Sequence, residues 1–203
     1  MSENEIREPI QKRSIEKKEK IIESGFELIC EKGYYNTNTV EIAKHAGVST
    51  GIIYQYFKDK HDILIESLKI YADSIFYPMF DIGIKNFDKN DLEKLIRKMI
   101  NSFIQNHKLS QSAHEEIMAM AHSDKEVAFY FYKREMEMTK KIYELLISNG
   151  FKDDGLLEKS HIAIGLIDNL CHETVYHKHN ELNYEIMTNI YIKTISNLFN
   201  SNY

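Results

Sequence analysis

The sequence predicts an all-α fold of about nine helices, and three observations lead to this prediction. Only two prolines and eight glycines occur among 203 residues, so few positions would break a helix. Apolar side chains recur every three or four residues through most of the chain, which is the spacing of one helix face. With 43% apolar residues, the chain can bury a substantial core, either as one domain or as a small domain joined to a larger one.

The first helix is predicted over residues 14–32 and spans about five turns. Gly33 follows at the position where a left-handed C-cap is expected. The apolar residues that provide the helical spacing are Ile15, Ile22, Phe26 and Ile29.

Two short helices are predicted over residues 40–46 and 50–57, and a longer one runs from residue 60 towards Pro78. Gly47 breaks the first of them. Each helix is preceded by residues that favour the N-cap position. These are Thr37, Asn38 and Thr39, with Glu41 placed as in a capping box, then Ser49, and then Asp59.

The second and third helices are separated only by a short turn around Gly47. Ala43 and Ala46 are small enough to let the two helices cross closely. The residues suited to fill the space between them are Ile42, Val48 and Ile53. This spacing is typical of a helix-turn-helix, whose second helix enters the DNA major groove. An ordinary helical hairpin remains the alternative.

The residues around this turn carry a specific resemblance. The run TVEIAKHAGVSTGIIYQYFKDK at residues 39–60, with Phe26, Gly33, Tyr34 and Leu64, resembles the DNA-binding domain of the tetracycline-repressor (TetR) family of bacterial regulators. The resemblance covers roughly residues 14–65, and the rest of the chain is similar only in length and helical character.

The resemblance implies a helix-turn-helix DNA-binding domain at residues 1–60 and a ligand-binding and dimerisation domain at residues 61–203. It also implies an all-helical homodimer that binds palindromic operator DNA and is released when a small, largely apolar or aromatic effector binds. A DNA-binding regulator that answers to redox change or to a protein partner, without a small-molecule ligand, is the alternative.

Residues near the helix-turn-helix are suited to hold DNA. Threonines at helix starts offer hydroxyl and N–H groups to phosphate oxygens. Gly51 would allow a close approach to the duplex, and Ile52 suits a thymine methyl. By resemblance, Tyr54 and Tyr56 clamp the phosphate backbone and Lys60 neutralises charge. The predicted DNA-binding residues are Thr39, Ser49, Thr50, Gly51, Ile52, Tyr54, Gln55, Tyr56 and Lys60.

The charge pattern permits DNA binding although the net charge is −5. Residues 1–60 hold ten basic and ten acidic side chains, so the deficit lies in residues 61–203. Phosphate neutralisation is local, and distant charge is screened over about 10 Å. We expect residues 1–13 to act as a basic N-terminal arm that reaches the DNA.

Further helices are predicted over residues 91–106, 111–121, 124–149, 156–177 and 183–200. The last two helices are the best candidates for dimerisation, since two copies of the pair would form a four-helix bundle. One predicted stripe consists of Ala163, Ile167, Leu170 and Thr174, and the other of Met187, Tyr191, Thr194 and Leu198.

A ligand pocket is predicted where soft and aromatic side chains concentrate on neighbouring helices. Its residues are Tyr71, Phe103, Met118, His122, Phe129, Tyr132, Met136, His172 and Tyr176. The alternative for each is ordinary core packing.

Other classes of function have little support. His172, His177 and His179 lack the i, i+4 spacing of a zinc site, and we expect neither metal nor cofactor. No set of nucleophile, base and acid indicates an enzyme. Cys30 and Cys171 form no metal motif and predict buried thiols in a reducing cytoplasm. No apolar run approaches the roughly 20 residues of a membrane span.

Overall fold

The computed structural model describes residues 9–80, 87–107 and 109–201, with the backbone alone for residues 74–80. Within these ranges the chain forms nine α-helices, one short 3₁₀ helix and no strand, which confirms the predicted all-α fold. The α-helices are α1 (Lys12–Lys32), α2 (Thr39–Ala46), α3 (Thr50–Tyr56), α4 (Lys60–Phe80), α5 (Leu92–Asn106), α6 (Gln111–Ser123), α7 (Lys125–Ser148), α8 (Leu156–Tyr176) and α9 (Tyr184–Asn200), and the 3₁₀ helix is Lys89–Asp91.

Every predicted helix begins and ends within two residues of the observed one. The largest differences lie at the start of α1 and at the ends of α4 and α6. Helix α4 continues two residues past Pro78, because a proline in the last turn removes one N–H without ending the helix at once. Residues 1–8 of the predicted N-terminal arm lie outside the described residues.

Asn38 and Gly47 set the two ends of α2 as the sequence predicts. Asn38 Oδ1 accepts the N–H groups of Val40 at 3.1 Å and of Glu41 at 3.0 Å. Gly47 adopts the left-handed conformation with φ of 66°. The side chain of Ser49 makes no capping bond, although this residue occupies the N-cap position of α3.

The residue contacts divide the chain into two compact units. The first contains residues 9–73 with residues 109–128, and the second contains residues 74–107 with residues 129–201. Helix α6 therefore belongs to the unit that holds α1, α2 and α3. Within this unit, α6 packs against α1. The predicted division of function after residue 60 stays a prediction.

The core of the first unit lies between α1, α2, α3 and the start of α4. Ile42 and Ile53 are completely buried there, and Phe57 is 1% exposed. Gly25 of α1 lies where α4 crosses it, because a Cβ at this glycine would come within 2.4 Å of Ile63 Cγ2. The helices therefore meet at a crossing that has no room for a larger residue.

The second unit is a bundle in which α5, α8 and α9 pack against one another. Its core residues include Ile96, Ile100, Ile167, Leu170 and Ile195, none more than 4% exposed. No helix within the described residues is long and apolar enough to cross a membrane.

Candidate functional site

Helix α3 presents different residues to the core and to solvent. Ile53 is completely buried and fixes the helix against α1 and α2. Gly51 and Gln55 are exposed, and Tyr54 is 44% exposed. A helix anchored on one side and free on the other is the arrangement that major-groove reading requires.

Two hydroxyl groups meet at the edge of this surface. Thr39 Oγ1 at the start of α2 lies 3.1 Å from Tyr54 Oη of α3, and the contact is exposed. Both oxygens can also accept or donate a further hydrogen bond. The pair therefore places two groups suited to phosphate oxygens side by side.

The start of α3 is open to close approach. A Cβ built on Gly51 would meet only Ser49 Oγ, at 4.0 Å. Ser49 is exposed, while Thr50 and Ile52 are half-buried. Six of the predicted DNA-binding residues are thus at least partly exposed along this helix and its N-cap: Ser49, Thr50, Gly51, Ile52, Tyr54 and Gln55.

Two predicted DNA-binding residues, Tyr56 and Lys60, make contacts within the chain instead. Tyr56 is only 8% exposed and belongs to the core, because it lies three residues after Ile53 on the same face of α3. Lys60 Nζ donates to the carbonyl oxygens of Tyr34 at 2.6 Å and of Thr37 at 2.8 Å. Tyr56 therefore packs within the first unit, and Lys60 ties the α1–α2 loop. The phosphate contacts predicted for both residues stay predictions.

Two exposed residues in the loop before α2 and at its start escaped the sequence prediction. Tyr35 in the α1–α2 loop is 77% exposed, and Val40 at the start of α2 is 63% exposed. Val40 could have been found from the pattern, because the buried face of α2 is formed by Ile42, Ala43 and Ala46. Tyr35 follows no periodic pattern, since it lies in a loop.

An apolar cavity lies in the second unit between α5, α7 and α8. Its lining residues are Phe103, Met138, Ile142, Ile164, Ile167 and Asp168. A further cavity between α5, α7, α8 and α9 is lined by apolar side chains that include Met99, Leu146 and Phe199. Apolar walls with few polar groups are typical of small-molecule sites. These cavities, however, have volumes of about 10 and 20 Å³, which is room for about one water molecule each.

Three predicted pocket residues meet beside the first cavity. The rings of Phe103 and His172 have centroids 6.2 Å apart, and those of His172 and Tyr176 lie 6.1 Å apart. His107, which the sequence prediction missed, joins them at 5.2 Å from His172. His172 Nδ1 lies 3.1 Å from Asp168 Oδ2, so a polar pair of an imidazole and a carboxylate borders the apolar cavity.

Burial alters the chemistry of His107 in this cluster. Its Nδ1 donates to the carbonyl oxygen of Phe103 at 2.8 Å. Burial lowers the pKa of His107 below its usual 6.5, with the positive charge of a protonated His172 acting in the same direction. The bond to Phe103 and the nearby Asp168 oppose this shift.

None of the other predicted pocket residues lines this cavity. Phe129 and Tyr132 are 64% and 61% exposed and stack on each other at the surface of α7. The inward stripe of α7 consists instead of Met138, Ile142 and Leu146, and half-buried Met136 does not belong to it. Three more belong to the first unit: Tyr71, Met118 and His122. Tyr71 contacts Phe26, Met118 is half-buried and His122 is exposed.

Three residues of the dimer stripe predicted on α8 lie in the core of their own chain, and the predicted interface stays a prediction. Ala163, Ile167 and Leu170 are 2%, 4% and 0% exposed in a single chain, so they are core residues of their own bundle. Thr174 is half-buried and donates to the carbonyl oxygen of Leu170. Periodicity identified an apolar stripe but could not tell the chain's own core from a second subunit.

The exposed apolar side chains of these helices lie on other faces. Ile162 of α8 is 50% exposed, and Ile186 and Ile190 of α9 are 59% and 58% exposed. Of the residues predicted on α9, Thr194 is exposed, while Met187, Tyr191 and Leu198 are half-buried.

A geometric cluster at the start of α4 is explained by helix capping. Asp59, His61 and Asp62 offer ligand atoms within 4.8 Å of one another. Asp59 Oδ1, however, accepts the N–H groups of His61 and Asp62, and Asp62 Oδ2 accepts that of Lys58. These bonds are the ordinary capping of a helix start, and nothing here points to a cation.

Comparisons with known proteins agree with this geometry. Residues 21–66 match the family model described as bacterial regulatory proteins of the tetR family. The regulator HbdR of Aromatoleum sp. (strain CIB) is 49% identical over 59 residues, which are 29% of this chain and 26% of that protein. The match to HbdR is thus confined to about a quarter of its length.

A longer match comes from the fatty acid metabolism regulator protein of Bacillus subtilis (strain 168). It is 30% identical over 162 residues, which cover 77% of this chain and 76% of that protein. The crystal structure of a TetR-family regulator from Syntrophomonas wolfei superposes with a TM-score of 0.68 over 92% of this chain and 96% of that chain, at 22% identity. That structure supports the fold alone. The chain belongs to the TetR family of transcriptional regulators.

Proposed function

We propose that the protein is a repressor that binds palindromic operator DNA as a homodimer and is released by a small, largely apolar effector. Operator DNA of a bacterium lies in the cytoplasm, which is where the protein would act. The observation that carries the proposal is the exposed face of α3, held in place by the buried Ile53 and Phe57.

The DNA contacts follow from the chemistry of that face. Thr39 and Tyr54 provide paired hydroxyl groups for phosphate oxygens. Gly51 permits close approach, so that Ile52 and Gln55 reach base edges in the major groove. Thr50 and Ser49, at the start of α3, complete the contacts to the backbone or the bases.

Dimerisation is supported by the exposed isoleucines of α8 and α9. Ile162, Ile186 and Ile190 are each at least half exposed, and exposed apolar side chains on neighbouring helices favour a subunit interface. A single short recognition helix reads only a few base pairs, so two copies are needed for a palindromic site. Ile190→Lys is expected to give a monomer in sedimentation at micromolar concentration, and an unchanged dimer would remove this face from the proposal.

The effector is proposed to bind where the small cavity lined by Phe103, Met138 and Ile167 lies, with the surrounding helices moving apart to admit it. Its apolar wall suits an aliphatic or aromatic body, and Asp168 with His172 supplies a polar edge. The relative from Bacillus subtilis is named for fatty acid metabolism, which is consistent with an aliphatic effector.

The redox alternative is less well supported. Burial raises the pKa of Cys30 to about 11, with the charge of Glu116 adding to the shift. Burial likewise raises the pKa of Cys171, which is completely buried. Because the thiolate is the reactive form, neither thiol is suited to rapid oxidation at neutral pH.

The DNA-binding proposal is tested by selecting duplexes from a random DNA pool and comparing two variants on the selected duplex. Tyr54→Phe removes one backbone-binding hydroxyl and is expected to weaken binding about fivefold or more, since one hydrogen bond contributes about 1 kcal/mol. Tyr132→Phe, an exposed tyrosine on α7, is the control and is expected to bind as wild type does. Failure of the wild-type protein to enrich any palindrome would contradict the proposal.

A further inference from the structure

A carboxylate of α6 holds the loop that leads into α2. Glu116 Oε1 accepts the backbone N–H of Tyr34 at 2.6 Å. The same oxygen lies 3.2 Å from where a Cβ at Gly33 would be, and Gly33 has a φ of 85°. The absence of a side chain at Gly33 therefore lets Glu116 lie directly over the end of α1.

The loop between α1 and α2 is fixed at several further points up to the start of α2. Lys60 Nζ binds the carbonyl oxygens of Tyr34 and Thr37 and lies 4.3 Å from the centroid of the Tyr34 ring. Thr37 is 1% exposed and donates to the carbonyl oxygens of Leu28 and Gly33. A loop tied at this many points has little freedom to move separately from α2.

A second contact joins the corner between α6 and α7 to the start of α4. His61 Nε2 lies 3.0 Å from Asp124 Oδ2, and His61 Nδ1 lies 3.7 Å from Glu126 Oε2. The side chains of His61 and Asp124 are only 21% and 27% exposed, so water screens their contact incompletely. Asp124 also caps α7 by accepting the N–H groups of Glu126 and Val127.

These capping bonds keep Asp124 ionised. The bond from Val127 lowers the pKa of Asp124 most, and His61 lowers it further, against the opposing effect of burial. Asp124 is therefore a carboxylate at neutral pH and acts as a fixed acceptor for His61.

We propose that Glu116 and Asp124 are positioning residues for operator recognition: they brace the reading helices from outside the helix-turn-helix. This brace consists of two contacts: Glu116 binds Tyr34, just before α2, and Asp124 binds His61, just after α3. This inference rests on the DNA-binding role proposed above and adds residues that hold the reading helices in place. In this proposal, DNA is not contacted by any of the four residues Tyr34, His61, Glu116 and Asp124.

The brace has a measurable consequence because only a specific site requires the reading helices in one orientation. A specific operator is read by base contacts, whereas an unrelated duplex is held mainly by phosphate contacts that tolerate small rotations. Loosening the brace should therefore weaken specific binding more than non-specific binding.

The experiment is a double-mutant cycle with Asp124→Asn and His61→Gln in the full-length protein. Asparagine can still cap α7 but lacks the charge that holds His61. Each single variant is expected to bind the duplex selected by wild type about fivefold more weakly, and the double variant no more weakly than the worse single one. Binding to an unrelated duplex of equal length should change less than twofold. Asp153→Asn, which alters the exposed contact with Tyr143 in the second unit, serves as the control.

Different outcomes would overturn this inference and the proposed function. If wild type selects a duplex and both variants bind it as wild type does, or the two effects simply add, the brace is wrong while DNA binding stands. An equal loss of specific and non-specific binding would also overturn it, because that result indicates general damage to the unit. If wild type selects no duplex, the DNA-binding proposal itself fails.

Discussion

Each of the two compact units has an apolar core and capped helix starts, but the units differ in the contacts that surround the core. In the first unit, side chains bind backbone atoms at the helix starts and in the loop, as Asn38, Asp59 and Lys60 do. In the second unit, the helices meet through apolar side chains such as Ile100 and Leu170, and apolar cavities remain among them. Hydrogen bonds depend strongly on direction, whereas apolar packing tolerates changes of shape if volume is kept.

This difference matches the two tasks proposed for the protein, DNA reading and effector binding. A DNA-reading surface must be held in one geometry, and an effector site must accept a molecule within an apolar core. The predictions below test whether the first unit is as intolerant, and the second as adaptable, as these contacts indicate.

The largest effect is expected at the crossing of α1 and α4. Gly25→Val would place branched carbons where even a Cβ lies 2.4 Å from Ile63 Cγ2. Ile63 is completely buried and β-branched, so it cannot turn away easily. We expect the free energy of unfolding to fall by about 3 kcal/mol, measured by urea denaturation. A loss below about 1 kcal/mol would show that the crossing can open at little cost.

A smaller effect is expected in the α1–α2 loop. Lys60→Met keeps the alkyl chain but leaves the carbonyl oxygens of Tyr34 and Thr37 without the ammonium group. We expect a loss of about 2 kcal/mol in the free energy of unfolding. Lys58→Met is the matched control, because Lys58 is exposed and should cost less than about 0.5 kcal/mol. Equal effects of the two substitutions would argue against a structural role of Lys60.

The smallest effect concerns pH and the second unit. The lowered pKa of His107 means that the folded protein resists protonation while the unfolded chain takes up a proton near pH 6.5. Stability is therefore lost as pH falls from about 6.5 towards the lowered folded-state pKa. His107→Gln should reduce this loss in urea denaturation at successive pH values, whereas His177→Gln, at an exposed position, should not. Identical pH profiles for all three proteins would rule out burial of a neutral His107.

The sequence predicted the first unit in more detail than the second, for a physical reason. Asn38, Gly47 and Asp59 act through atoms a few residues away, so their effect is visible in a short window. The long-range contacts of Glu116 with Tyr34 and of Asp124 with His61 are invisible there, since they join residues 82 and 63 positions apart.

In the second unit, periodicity located each helix but not the partner of each face. Ala163 and Ile167 carry the apolar pattern of an interface, yet they face α5 and α7 of the same chain. The same ambiguity applied to Phe129 and Tyr132, whose aromatic rings lie at the surface. Burial at these positions depends on how helices pack, which no local pattern specifies.

The most direct test of the account is Gly51→Ala, measured on the duplex that the wild-type protein selects. A Cβ at residue 51 meets only Ser49 Oγ at 4.0 Å, so the free energy of unfolding should stay within about 0.5 kcal/mol of wild type or rise slightly. If α3 approaches DNA at this glycine, the added methyl group should weaken binding about tenfold, equivalent to about 1.4 kcal/mol. Wild-type affinity for the selected duplex, in a variant of unchanged stability, would contradict the claim that the exposed face of α3 reads the operator.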